Sequence, residues 1–137
     1  MRRKTVACML CLGATASAWA QQSPNDIEML NKYAGTWAVD CSKPSGARLT
    51  VSPQALALSA GGQQLRTAPP LSAFSYYGKM QPPAGFDVAL LGEARPTGLS
   101  LLAMSDPSGP YLTVDADAPL QKQFGKAALA GKFRRCP

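Results

Sequence analysis

Histidine is absent from all 137 residues. That removes the usual general base near neutral pH, the commonest metal ligand and every Ser–His or Cys–His nucleophile pair. Charge is sparse too: 16% of residues are Asp, Glu, Lys or Arg, and only eight of those are acidic. Beyond the N-terminal twenty residues no apolar run approaches the length of a membrane-spanning helix. A glycine-rich phosphate loop at a strand–helix junction is also missing; Gly61-Gly62 lies between two strand-like runs and reads as a hairpin turn. The only close carboxylate pair, Asp115 and Asp117, could share a strand face as acid/base or calcium ligands. Asp117 reads better as a helix cap before Ala118-Pro119, and Asp115 as the end of a strand. No catalytic residue, metal site or cofactor is therefore expected, and the chain reads as a non-enzyme.

What is present begins with a segment that reads as separate from the fold. Arg2-Arg3-Lys4 is followed by a mostly apolar run from Thr5 to Ala16, and Ala18-Trp19-Ala20 has the small-x-small form of a cleavage site. This is the pattern of a secretory signal peptide, with an apolar run too short to span a membrane. Residues 1–20 are expected to be a signal peptide and residues 21–137 a single β-rich domain, exported to the periplasm or the extracellular space. Removing the segment leaves eleven Lys and Arg against eight Asp and Glu and lowers the formal charge from +6 to +3. So small an excess gives no reason to expect nucleic acid as a partner. Cys8 and Cys11 leave with the segment. Cys41 and Cys136 remain, and an even pair in an exported chain is expected to form one disulfide bond.

The domain opens with a helix signature. Ser23 caps, Pro24 occupies the first turn, and Asp26 favours the positive end. Ile27, Leu30 and Ala34 at i, i+3 and i+7 predict one apolar face, and Glu28 and Lys32 an i,i+4 ion pair. Gly35 suits the helix end. Trp37, Val39 and Cys41 then alternate with polar or small residues, which predicts a strand with those three on its inward face.

From there, apolar runs alternate with turn residues. Strands are predicted around Leu49–Val51, Leu56–Leu58, Gln63–Arg66, Ser72–Tyr77, Phe86–Leu91, Leu99–Met104 and Tyr111–Asp115. The run Leu99–Met104 is apolar on both faces and is expected to lie centrally or on a covered strand. A short helix follows Asp117 and ends at Gly125, and Lys132–Cys136 is extended again. The fold class expected is mainly β: a small antiparallel barrel, or a sandwich, of about eight strands with short N-terminal and C-terminal helices.

A short helix followed by Gly35-Thr36-Trp37 on the first strand resembles the opening of calycin-type barrels such as lipocalins. The resemblance implies a barrel rather than a sandwich. It also implies an arginine near the end of the last strand, Arg134 or Arg135, packed on Trp37.

The longest turn-like stretch, Gly78–Gly85, is stiffened by Pro82 and Pro83, carries Lys79 and Met80, and is flanked by Tyr76, Tyr77 and Phe86. A stiff loop loses less entropy on binding, and loops on rigid scaffolds often carry function. These five residues are the expected contact set for a protein partner, in the manner of an envelope inhibitor or immunity protein. The chain is expected to be a monomer with no transmembrane segment after processing. The alternative is a lipocalin-like small-molecule carrier with a cavity lined by Trp37, Phe74 and Tyr111. Lys132, Arg134 and Arg135 form a basic C-terminal cluster expected to be a solvated face.

Overall fold

The structure, a computed structural model, describes residues 22–75, 79–92 and 98–137. Ser23 and Asp26 close a capping box at the start of helix α1 (Pro24–Lys32): Asp26 N–H donates to Ser23 Oγ at 3.1 Å and Ser23 N–H to Asp26 Oδ2 at 3.1 Å. The inward side of the helix differs from the predicted one. Ile27 stands 40% exposed, while Leu30 and Tyr33 are buried and Met29 packs against the core. Lys32 likewise pairs with Asp87 Oδ2 at 2.7 Å, far along the chain, rather than with Glu28. The helix is positioned by what it packs on, and its local periodicity is too short to decide its rotation.

Strand β1 (Gly35–Ala38) is shorter than predicted. Trp37 is fully buried, but Val39 is 54% exposed and Cys41 lies in a turn. The reason is Asp40: its carboxylate accepts from Ser42 N–H at 3.0 Å, an Asx turn that ends the strand before the alternation can continue. After it come β2 (Arg48–Ser52), β3 (Ala55–Ala60), β4 (Gln63–Thr67), β5 (Leu71–Phe74), β6 (Phe86–Gly92), β7 (Leu99–Asp106) and β8 (Gly109–Asp115). Two short helices, α2 (Ala118–Phe124) and α3 (Lys126–Leu129), precede β9 (Arg134–Arg135). Gly61 and Gly62 both take positive φ, +57° and +77°, as a type I′ turn between β3 and β4 requires.

The fold is mainly β. Among the described residues nine strands form two antiparallel sheets, β4-β3-β2-β1-β9 and β5-β6-β7-β8, with β7 between β6 and β8 as expected. Leu112 of β8 and Phe133 exchange backbone hydrogen bonds of 2.9 Å, which ties the sheets along one side. They do not close on each other between β4 and β5, a geometry that fits both the barrel and the sandwich expected. One continuous apolar cluster fills the interior. Trp37, Leu49, Leu56 and Leu58 come from the first sheet, Leu71, Val88, Leu90 and Leu101 from the second, with Leu30, Leu120 and Phe133 from the flanking segments. The disulfide Cys41–Cys136 is present, with Cα atoms 5.6 Å apart across 95 residues of sequence. Among the described residues no helix is long and apolar enough to cross a membrane.

Candidate functional site

The β5–β6 connection is anchored at its C-terminal end. Gly85 O accepts from Ser105 N–H of β7 at 2.8 Å, and Phe86 N–H donates to Pro83 O at 3.1 Å. Gly85 has φ +83°, and a Cβ there would run into the Ser105 carbonyl oxygen, so only glycine lets the loop lie this close to β7. Beyond that anchor Lys79 is exposed and Met80 is 70% exposed. Phe74, at the other end of the connection, is 51% exposed, and Phe86 is half-buried. Tyr76 and Tyr77 lie outside the described residues.

Trp37, Phe74 and Tyr111 occupy three different environments. Trp37 is in the core, its Nε1–H donating to Tyr33 O at 2.9 Å. Phe74 faces solvent. Tyr111 is buried beneath Lys132 Nζ, 4.5 Å from the ring centre, and the Arg134 guanidinium, 5.0 Å from it. None of the three lines any of three surface hollows, of about 260, 160 and 150 Å³, found among the described residues.

The C-terminal cations are mostly engaged. Asp106 Oδ2 accepts from Arg134 Nη2 at 2.6 Å and Lys132 Nζ at 2.7 Å. The hydrogen bond from Arg134, then that from Lys132, hold the Asp106 carboxyl well below the usual carboxylate range. Arg135 lies over Trp37, its guanidinium carbon 4.7 Å from the ring. It also donates to Ala34 O and Lys32 O at 2.9 Å each, satisfying carbonyls at the end of α1. Of the two arginines that the calycin resemblance offered, Arg135 is the one on the tryptophan. Asp117 caps α2, accepting from Leu120 N–H at 2.9 Å, and Asp115 is exposed. Among the described residues no group of three or more His, Cys, Asp or Glu is placed to hold a metal ion.

Two carboxylates do structural work that local sequence signals did not show. Asp87 Oδ2 accepts from Lys32 Nζ and from the Tyr33 hydroxyl. The bond from Lys32, then that from Tyr33, lower the Asp87 pKa, while burial first and Asp87 second push the Tyr33 phenol up. Asp26 Oδ1 accepts from Ala73 N–H of β5 at 2.9 Å. Burial raises the Asp26 pKa, but the bonds from Ala73 and Ser23 outweigh it and hold the carboxyl below its ordinary value.

Comparison with protein-family models, curated proteins and solved structures finds no match to this chain. The functional reading therefore rests on the residues and their geometry.

Proposed function

We propose that the protein is an exported, non-enzymatic binding protein that engages a protein partner through the loop ending at Gly85, as an envelope inhibitor or immunity protein would. The observation that carries this reading is Met80: a large apolar side chain, 70% exposed, beside Lys79 on a loop stiffened by Pro82 and Pro83 and anchored on β7. Phe74, half-exposed at the end of β5, is a second exposed apolar side chain. Exposed apolar anchors on a rigid scaffold supply binding energy at little ordering cost. The disulfide and the signal-like N-terminus support export. The carrier reading has less support, because Trp37, Phe74 and Tyr111 face three different surroundings.

The test is capture of envelope proteins on the immobilised mature protein, followed by binding kinetics with the captured species. The double variant Lys79→Ala/Met80→Ala should weaken binding by about 1–3 kcal/mol, mainly through a faster off-rate, with the melting temperature unchanged. Wild-type affinity in the double variant would sink the loop as the contact surface.

A further inference from the structure

The outer face of the first sheet carries a trough that the loop reading does not use. Its floor is β3, where Ala57 and Ser59 are small. Its walls are Arg48 and Thr50 from β2 and Gln64 and Arg66 from β4, which the register sets opposite that floor as Arg48–Ser59–Gln64 and Thr50–Ala57–Arg66. This hollow, about 160 Å³, shares Ser59 and Gln64 with a second of about 150 Å³, which continues between the Pro44–Gly46 and Gly61–Gly62 turns. With roughly 4.8 Å between strands and 3.4 Å per residue, the walls stand about 10 Å apart and the trough runs about 14 Å from Ala57 to Gly61. Those are the dimensions of about four residues of extended peptide.

The electrostatics are one-sided. Among the described residues the two hollows are lined by two arginines, Arg48 and Arg66, and by no Asp or Glu. Arg48 is held by the carbonyls of Cys41 and Lys43, at 3.0 and 3.2 Å, and lends the trough its charge. Arg66 is exposed, and among the described residues it has no hydrogen-bond or ion-pair partner. A guanidinium without a carboxylate of its own is a fork ready for one. Thr50, Ser59 and Gln64 add hydroxyl and amide groups suited to a peptide backbone. Among the described residues no aromatic ring lines either hollow, so they offer no stacking platform of the kind favoured by sugars.

We infer that this trough binds an extended acidic peptide segment of another protein, with Arg66 receiving one of its carboxylates. The site lies on the first sheet and the Lys79–Met80 loop on a connection of the second, so the two surfaces are separable by mutation.

Fluorescence anisotropy tests the inference with a labelled hexapeptide of alternating threonine and glutamate, titrated with the mature protein at low salt. Saturable binding is expected, weakened roughly tenfold or more by Arg66→Gln, as loss of a charge-assisted hydrogen bond implies. A similar loss is expected for Ala57→Leu, which raises the floor, and for the glutamine version of the peptide. Lys79→Ala/Met80→Ala should leave the affinity unchanged. Thermal melts of the variants, expected to overlay the wild type, separate loss of binding from loss of fold. Absence of binding, equal binding of the glutamate and glutamine peptides, or indifference to Arg66→Gln would overturn the proposal. Dextran sulfate binding more tightly than the peptide, with the same sensitivity to Arg66→Gln, would reassign the trough to a sulfated glycan and overturn it as well.

Discussion

The two strands that face the gap between the sheets, β5 and β4, are finished in opposite ways. On β5 the outward backbone donors are taken: Leu71 N–H donates to Gln22 Oε1 at 3.1 Å and Ala73 N–H to Asp26 Oδ1 at 2.9 Å. Gln22 also donates through Nε2 to Pro53 O at 3.0 Å, so one side chain ties the β5 edge to the β2–β3 turn of the other sheet. On β4, among the described residues, no side chain hydrogen-bonds to the backbone, and Gln63, Gln64 and Arg66 are exposed. Open edges invite pairing with other chains, and proteins blunt them by covering them or by keeping them short and charged. Here one edge is covered by a helix and the other is short and cationic. Carboxylates serve the covered side, where Asp26 and Asp87 hold α1 to the second sheet. The open side keeps an arginine that has no partner among the described residues, and the recognition surface proposed above is built on it.

The largest expected effects fall on the core ring and the cross-link beside β1 and β9. Trp37→Ala removes a fully buried ring and the platform beneath Arg135, and should cost about 3–5 kcal/mol in urea unfolding. Cys41→Ser should cost about 2–5 kcal/mol through loss of the cross-link. Thiol titration of the unfolded, unreduced wild type should find no free thiol among Cys41 and Cys136. If either variant melts with the wild type, the buried ring or the cross-link does not hold the fold together.

The edge comparison itself is tested by a pair of variants. Asp26→Ala removes the capping box and uncovers Ala73 N–H, and should destabilise by about 1–2 kcal/mol with faster amide exchange along β5. Arg66→Gln, on the open edge, should change stability by less than about 0.5 kcal/mol. Equal costs for the two would mean that the helix does not protect β5.

The smallest and broadest effect is the pH profile. Asp26, Asp87 and Asp106 all have native pKa values lowered from the ordinary carboxylate value. A lowered native pKa contributes stability that is present above the unfolded value of about 4 and is lost as pH falls through the native value. With no histidine to titrate, stability should be flat from about pH 8 to pH 5 and fall below about pH 4. Asp87→Asn should flatten that acid limb without moving the plateau's shape. A step between pH 6 and 7 would contradict this assignment.

Features encoded within a few residues were legible in the chain by itself. The Ser23 cap, the paired glycines at 61–62, the Asp117 cap and the central place of β7 each follow from local backbone chemistry or a local period. The disulfide followed from two cysteines being left after the leader-like segment was set aside. Tertiary structure decided the features that depend on residues far apart in sequence. Asp26 reaches Ala73 across 47 positions, Lys32 finds Asp87 across 55, and Arg135 reaches the end of α1 across more than 100. The same distant contacts turned Ile27 outward, whereas β1 stops short of Val39 through a local signal, the Asx turn at Asp40. Local propensity contributes a few tenths of a kcal/mol per position, whereas burying a ring or pairing a carboxylate contributes more, so packing overrides a short helix's rotation.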